Sequence, residues 1–351
     1  MNKKFNRTVA SLLLFFLIQL AHCQAINSNF TCIKIDTLLK DTISIRAISV
    51  SKNRVYYAAD KNRLGYINLN GLEKVEQIIK KDSLKIEFRS CAKTTNAFFV
   101  LSIANPALLY KFSNSLQLKA LVYQEQNDKV FYDSMQFYNN LNGIAVGDPI
   151  MGYLSIITTK DGGITWSKNN IKNAPKVVEG EAAFAASNTN IIIKNGKTWV
   201  ITGGKKSRIF YSSNKGKSWQ VFETPIVQGE AMTGAFTADF YNNEIGIIAG
   251  GNYNKPNQNF QNKAITFNGG KTWKLVGENK GFGYSSCIQF IPKCGGKQLV
   301  SVGTNGIFYS CDFGNSWKQF SSESSFYTLR FLNKNTAIAA GKNKVVKITF
   351  L

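Results

Sequence analysis

Short apolar runs alternate with turns rich in glycine, asparagine and aspartate along most of the chain. No segment keeps a helical period over the length of a helix. This pattern is typical of short β-strands joined by tight turns. Four stretches show a glycine-marked apolar run followed closely by a second apolar run: residues 143–147, 199–203, 246–250 and 299–303.

A turn of the form Ser/Thr-x-Asp/Asn-x-Gly-x-Ser/Thr-Trp occurs four times, and we call these segments the repeated turns. Their tryptophans are 53, 54 and 44 residues apart. Self-similarity at such a spacing indicates a repeat architecture. The paired positions are Asp161 with Trp166, Asn214 with Trp219, Asn268 with Trp273, and Asp312 with Trp317.

The repeated turns have a physical logic that predicts a structural role. An Asp or Asn side chain can accept backbone N–H groups, and glycine takes the left-handed conformation that other residues avoid. The tryptophan that follows can bury a large ring between neighbouring sheets. This is the sequence form of an Asp box, or BNR repeat, a hairpin turn between the outer strands of certain propeller blades.

The same strand rhythm without the repeated turn occurs at residues 55–69, 97–123 and 337–350, which brings the number of units to seven. Residues 32–39 have no unit of their own and could supply the outer strand of the last one. Closing a ring in this way removes exposed sheet edges. The sequence therefore predicts an all-β, seven-bladed β-propeller over residues 24–351, closed by the N-terminal strand.

The first residues predict a signal peptide over residues 1–23. Lys3, Lys4 and Arg7 precede an apolar run at residues 12–20, and Ala21-His22-Cys23 forms a small-residue cleavage region. The run is too short to span a bilayer, which takes about 20 apolar residues. The alternative is that this apolar run forms a buried strand or helix of the folded protein. We expect export, and a periplasmic or extracellular location.

The number of histidines in the sequence excludes histidine chemistry. His22 is the only histidine, so a chain cleaved after residue 23 contains none. Ser-His-Asp triads, histidine general bases and His-ligated zinc are then impossible. The sequence also has no dinucleotide fingerprint, haem motif or metal-ligand cluster, so no cofactor and no metal are expected.

The charge is strongly positive, at +22 for the whole chain and +19 without the predicted signal peptide. Such a surface favours anionic partners, among them lipid headgroups, so association with a membrane surface is one expectation. The alternative is that scattered lysines keep an exported protein soluble. We expect a monomer that does not bind nucleic acid.

Five cysteines follow residue 23, and an odd number leaves at least one unpaired within the chain. Cys287 and Cys294 flank a predicted strand and turn, so a local disulfide is sterically feasible in an oxidising compartment. Buried thiols are the equal alternative.

The innermost strand of each unit should line a central channel, and polar residues near the starts of these strands should ring one mouth. Loops between second and third strands open on the same side and bring Asp148 and Arg208 there. Charged groups at a channel mouth predict a binding site; the alternative is that a wet channel needs no special reason for polar residues. The ring members are Arg46, Arg89, Asp133, Glu181, Thr233, Ser286 and Thr328.

Several segments together resemble the photosystem II stability/assembly factor-like propellers, in particular a secreted branch from non-photosynthetic bacteria. The resemblance covers essentially all of residues 24–351 and implies a seven-bladed, non-enzymatic factor that binds a partner through an arginine patch. Arg46, Arg89 and Arg208 would take that part here. The matching segments are the repeated turns and residues 44–50, 147–149, 179–184 and 203–208.

Two functions follow. The first is a binding or assembly propeller that holds an anionic ligand or a protein segment at the channel mouth, through Arg46, Arg89, Asp133, Asp148, Glu181 and Arg208. The alternative is a sialidase-like glycoside hydrolase on an Asp-box propeller, which would use Arg46, Arg89, Arg208, Asp133, Glu181 and Tyr284. The Phe/Tyr-Arg-Ile-Pro signature of sialidases is missing from the sequence.

Overall fold

A computed structural model describes residues 29–81 and 83–351 of the chain. The predicted signal peptide lies outside these residues. Within them, one short 3-10 helix at Ile171–Asn173 is the only helical element, and every other element is a β-strand. Among the described residues, no helix is long and apolar enough to cross a membrane.

The strands are short, as the apolar runs predict, with two exceptions at the ends of the described chain. In chain order, the first fourteen are β1 (Ile33–Val50), β2 (Arg54–Ala59), β3 (Arg63–Asn68), β4 (Lys74–Ile78), β5 (Phe88–Lys93), β6 (Ala97–Ser102), β7 (Ala107–Ser113), β8 (Leu118–Glu125), β9 (Tyr132–Phe137), β10 (Gly143–Ile150), β11 (Tyr153–Thr159), β12 (Ser167–Lys168), β13 (Glu181–Ala182) and β14 (Ile191–Lys194).

The second half of the chain continues the same pattern of short strands and ends in a long one. The strands are β15 (Lys197–Ile201), β16 (Gly203–Gly204), β17 (Arg208–Ser212), β18 (Gln220–Glu223), β19 (Thr233–Phe240), β20 (Gly246–Asn252), β21 (Lys263–Thr266), β22 (Lys274–Leu275), β23 (Cys287–Phe290), β24 (Leu299–Gly303), β25 (Gly306–Ser310), β26 (Lys318–Ser321), β27 (Phe326–Asn333) and β28 (Thr336–Phe350).

These strands form six hydrogen-bonded sheets, so the prediction of seven blades is wrong. Four sheets have four strands each, in the orders β5-β6-β7-β8, β12-β11-β10-β9, β14-β15-β17-β18 and β23-β24-β25-β26. Two sheets have six strands, in the orders β27-β28-β1-β2-β3-β4 and β13-β16-β19-β20-β21-β22. All strand pairs are antiparallel, as sequential strands joined by tight turns require.

The predicted closure by a separate N-terminal strand is also wrong. Residues 32–39 are not an independent outer strand, because β1 continues for 18 residues without a break. Its first half pairs with β28, where Ile33 lies opposite Phe350, and its second half pairs with β2. No glycine or proline interrupts residues 33–50. The first and last units therefore merge into one six-stranded sheet.

The first strands of successive units contact one another around a central channel, and we call them the channel strands. They are β1, β5, β9, β14, β19, β23 and β27. The apolar core lies between neighbouring sheets, where bulky side chains from adjacent units interleave. For example, Trp199 of β15 stacks on Phe240 of β19, with ring centroids 3.9 Å apart.

The repeated turns are closed by hydrogen bonds between residues of the same turn. The Asp161 carboxylate accepts the backbone N–H groups of Ile164 and Thr165 at 3.0 and 3.1 Å. The Thr159 hydroxyl accepts the N–H of Gly163 at 2.9 Å. Asn214 accepts the N–H groups of two following residues in the same way, at 3.1 and 3.0 Å.

The tryptophan after the turn packs between its own sheet and the preceding one. The ring of Trp166 lies 6.4 Å from Phe99 of β6 and 5.7 Å from Phe137 of β9, measured between centroids. Gly163 has a φ of +71°, and a Cβ there would lie 2.4 Å from the Phe99 ring. Only glycine therefore fits this position, for both conformational and steric reasons.

We expect Asp161→Ala to lower the free energy of unfolding by about 1–3 kcal/mol, because it leaves several N–H and O–H donors of the turn without their acceptor. Asp161→Asn should cost less, since asparagine occupies the equivalent place at Asn214 and Asn268. Chemical denaturation of each variant measures the difference. Asp128→Ala, at an exposed loop carboxylate, is the control; an equal loss in Asp128→Ala and Asp161→Ala would contradict the role of the turn.

Candidate functional site

Part of the central channel is occupied by the chain itself. Residues 183–190, between β13 and β14, form no regular strand, and we call them the channel segment. Its side chains bond across the channel to residues of β5 and β19 and to the residue before β23. The bonds join Ser187 Oγ to Ser286 O (2.6 Å), Asn188 Nδ2 to Cys91 O (2.8 Å) and Thr189 Oγ1 to Thr237 Oγ1 (2.8 Å).

The carbonyl groups of the channel segment are held by Arg330, a residue that the sequence did not single out. One guanidinium nitrogen of Arg330 donates to Ser187 O and to Asn188 O, both at 3.1 Å. Thr328, on the same strand, donates its hydroxyl to Ser187 O, also at 3.1 Å. The sequence feature that could have identified Arg330 is its place two residues after the ring member Thr328, on the same predicted channel strand.

Arg46 contacts the channel segment at Ala186, the residue directly before Ser187. Its Nη1 donates to Ala186 O at 3.3 Å, and its guanidinium carbon lies 4.2 Å from the centroid of the Tyr327 ring. Its Nε is buried without a hydrogen-bond partner. Among the described residues, Arg46 forms no ion pair. This arginine is therefore positioned by packing while its charge stays uncompensated.

Arg89, Asp133 and Asp148 form a second group. Arg89 donates Nε to Glu87 at 2.7 Å, so it is already paired. Asp133 is fully buried, and both of its carboxylate oxygens lack partners among the described residues. Burial first, and then the charge of Asp148, raises the pKa of Asp133 well above its ordinary value, against the lowering effect of Arg89.

Asp148 ties this group to the channel segment. Its Oδ1 accepts the N–H of Ala183 at 3.1 Å. Burial raises the pKa of Asp148 to about 7, although that hydrogen bond favours the charged form. Burial therefore disfavours the charged form of both carboxyl groups.

Glu181 and Arg208 form a third group, in which both charges are used. Arg208 donates Nε to Glu181 Oε1 at 3.0 Å, and Thr202 donates its hydroxyl to the same oxygen at 2.6 Å. The N–H of Val178 reaches the other carboxylate oxygen at 3.0 Å. Because Glu181 is only 3% exposed, this pair is a buried support for the loop and not a free arginine.

The predicted ring thus separates into three groups. Six of the seven ring members lie within two residues of the start of a channel strand or of β13, whereas Arg46 lies well inside β1. However, two of the three candidate arginines are neutralised by their own glutamates, which leaves Arg46 as the unpaired one of the three.

An aromatic cluster that the binding hypothesis did not include lies at the same mouth. Phe184 of the channel segment stacks on Phe236, with centroids 4.0 Å apart. Tyr284 contacts Phe236 at 4.9 Å and Tyr253 at 5.2 Å. Tyr253 is 43% exposed, so the cluster reaches the surface. Phe184 belongs to the residue 179–184 segment that carried the family resemblance.

The glycoside hydrolase set is not assembled. Tyr284 is 2% exposed and burial raises its pKa, which disfavours the ionised form a nucleophile needs. Its contacts are aromatic rings, whereas Glu181 is bound to Arg208 and Thr202. Tyrosine and carboxylate therefore do not form the pair that this chemistry requires.

The cysteines and acidic groups of the described residues form neither a disulfide nor a metal site. Cys287 and Cys294 are both buried free thiols, so the disulfide alternative is wrong and the buried-thiol alternative holds. They pack in one apolar cluster, where each thiol lies against a backbone carbonyl. Within residues 29–81 and 83–351, no group of three or more His, Cys, Asp or Glu side chains could hold a metal ion.

Known structures share this fold. The chain is similar to YCF48 bound to D1 peptide, with a TM-score of 0.65 and 11% identity, over 93% of this chain and 100% of that one. It is similar to YCF48 from Cyanidioschyzon merolae, with a TM-score of 0.62 and 10% identity over 91% and 98%. The WD40 repeats of RRP9 give a TM-score of 0.64 and 11% identity over 92% and 100%.

At these identities the similarity shows the fold alone. No family model matches the chain, and no curated protein matches it. The chain is therefore an all-β propeller, and that coarser part of the sequence prediction is confirmed.

We expect the buried Asp148 carboxyl to make the fold less stable as pH rises. Its folded pKa of about 7 lies above the unfolded value of about 3.9, so the folded state holds a proton that the unfolded state has lost. Stability should fall between these two values and level off above the higher one. Thermal unfolding at pH 5 and pH 8 should show a smaller drop for Asp148→Asn than for the wild type.

Asp128→Asn, which changes an exposed loop carboxylate, is the control for this experiment and should keep the wild-type drop. An identical pH dependence in the wild type and in Asp148→Asn would show that this carboxyl does not titrate as its burial suggests.

Proposed function

We propose that this chain is a binding propeller that holds an acidic protein segment at the channel mouth around Arg46. The observation that carries the proposal is the state of Arg46: positioned by Tyr327 and Ala186, yet with no ion pair among the described residues. Such a guanidinium can receive a carboxylate at little cost in ordering, because its conformation is already fixed.

The neighbouring aromatic cluster gives the site its second element. Tyr253 offers a partly exposed ring, and Phe184, Phe236 and Tyr284 support it from below. Aromatic anchors beside an arginine are the residue types that dominate binding energy in protein interfaces. We infer that the bound segment places an apolar or aromatic side chain against this cluster and a carboxylate against Arg46.

A structural neighbour supports a peptide as the ligand class. YCF48, which shares the fold, was solved bound to D1 peptide. At 11% identity that complex does not locate a site here, but it supports the capacity of such a propeller to hold a peptide.

We also propose that the protein works outside the cytoplasm, as a monomer and without enzymatic activity. The first of these rests on the charged and apolar residues of the predicted signal peptide. The last rests on the burial of Tyr284 and Glu181 and on the hydrogen bonds that hold the Glu181 carboxylate to Arg208 and Thr202.

We expect Arg46→Gln to abolish acid-dependent peptide binding. The probe is a panel of fluorescent peptides that pair a Glu with an aromatic residue, compared with the same peptides carrying Gln, and anisotropy gives the Kd. The wild type should prefer the Glu peptides by about tenfold or more, and Arg46→Gln should lose that preference.

Arg89→Gln is the matched control, because Arg89 is already paired with Glu87 and should contribute little. Arg46→Lys keeps the charge but not the planar stack, so it should fall between wild type and Arg46→Gln. Thermal unfolding of each variant shows whether it is folded. The absence of any Glu-over-Gln preference in the wild type would overturn the proposal.

A further inference from the structure

One end of the propeller carries exposed lysines and exposed apolar side chains in its tight turns. In each four-strand unit, the turns between first and second strands and between third and fourth strands lie at the same end, because the strands are antiparallel. Turns of neighbouring units touch there: Thr95 N–H donates to Asn140 Oδ1 at 2.9 Å, and Asn195 donates to Asn243 at 3.3 Å. We call this end the lower face, and the end with the Arg46 mouth the upper face.

The lysines of the lower face carry uncompensated charge. Seven exposed lysines lie in its turns, and among the described residues none of them forms an ion pair. The upper face mixes the two situations: Lys206, Lys255 and Lys344 there pair with glutamates. Other exposed lysines of its loops form no ion pair with any residue that the structure describes, for example Lys61, Lys85, Lys129, Lys172 and Lys205. The seven lower-face lysines are Lys52, Lys160, Lys215, Lys217, Lys271, Lys293 and Lys297.

Acidic residues do not cancel this charge. Asp161 and Asp312 lie in repeated turns, where Thr165 and Ser316 donate to their carboxylates at 2.6 Å. Glu73 and Glu244 lie in other lower-face turns, so the lysines outnumber the carboxylates.

The same turns expose large apolar side chains. Ile164 is 64% exposed, Leu141 57%, Phe267 55% and Leu72 53%. Each belongs to a turn and not to a strand of the propeller, so each side chain can project beyond the face. Apolar tips surrounded by lysines form the pattern of surfaces that lie in a membrane interface.

A cleft of about 320 Å³ opens between the first two repeated turns. Lys160, Lys215 and Lys217 line it, together with the amides of Asn169 and Asn173. Ammonium and amide donors without a lining carboxylate suit a phosphate-bearing headgroup.

We propose that the lower face docks on an anionic lipid surface, with the apolar turn tips in the interface and the lysines on the headgroups. The occupant is a bilayer and not a protein, because the apolar groups stand singly on separate turns and the exposed lysines around them outnumber the carboxylates. In this orientation the Arg46 mouth points away from the membrane.

Vesicle sedimentation tests this docking. The vesicles are phosphatidylcholine, alone or with about one third phosphatidylglycerol. The full chain should sediment with the anionic vesicles only, and binding should weaken at about 0.5 M NaCl because salt screens the lysines. The triple variant Lys160→Gln, Lys215→Gln, Lys217→Gln should bind roughly a hundredfold more weakly.

The matched control is Lys205→Gln, Lys206→Gln, Lys255→Gln on the upper face, which removes the same charge and should keep wild-type binding. All chains carry the same N-terminal residues, so a difference between variants does not come from that segment. Equal loss in both triple variants would show a net-charge effect and overturn the docking face, as would equal sedimentation with uncharged vesicles.

Ile164→Ser with Phe267→Ser tests the apolar part of the surface. This pair should bind anionic vesicles several-fold more weakly while it binds soluble heparin as the wild type does, since heparin offers charge without an apolar phase. Retention of heparin with no vesicle binding by the wild type would overturn the lipid assignment. Peptide binding at Arg46 should be unchanged in every lower-face variant, which separates this proposal from the proposed function.

Discussion

The structure depends on the need to satisfy the polar groups of the channel segment. A stretch of irregular backbone buried in a channel must find partners for its N–H and C=O groups, or each costs a large part of a hydrogen bond. Here the partners of its backbone come from strands far apart in sequence, Arg330 on β27 and Asp148 on β10. The Asn188 side chain also donates to the carbonyl of Cys91 on β5. The segment therefore links units that otherwise touch only their neighbours. Because it lies in the channel, the channel is not an open passage along its whole length.

This constraint also explains the division of the charged groups. Glu181 and Arg208 hold the start of the segment, and Asp148 holds its first residue, so these side chains are committed to the fold. Arg46 bonds to the segment through one nitrogen only, so its positive charge remains available for a carboxylate of a bound partner. The charged residues at the channel mouth are thus of two kinds, those that support the fold and those that are available to bind a partner. Only their hydrogen bonds distinguish the two.

The two faces of the propeller use their charged residues differently. On the upper face, long connections bring some acidic and basic side chains close enough to pair. On the lower face the turns are tight, the carboxylates of Asp161 and Asp312 accept hydrogen bonds within their own turns, and the exposed lysines form no ion pair among the described residues.

The local part of the fold could be read from the sequence, because its causes are local. The repeated turns close within eight residues, through Asp161 or its counterparts and a glycine with positive φ, so their form follows from the residues themselves. Short strands and the all-β class follow from the same turns.

The number of sheets could not be read, because it depends on β1 pairing with β28 across some 300 residues and on β1 continuing unbroken into the pairing with β2. Nor could the sequence show that Arg89 and Arg208 are paired, that Arg330 reaches the channel segment, or that Tyr284 and Glu181 stay apart. These outcomes depend on which side chains the closed ring brings within hydrogen-bond distance. That distance is set by the packing of whole sheets and not by any neighbouring residue.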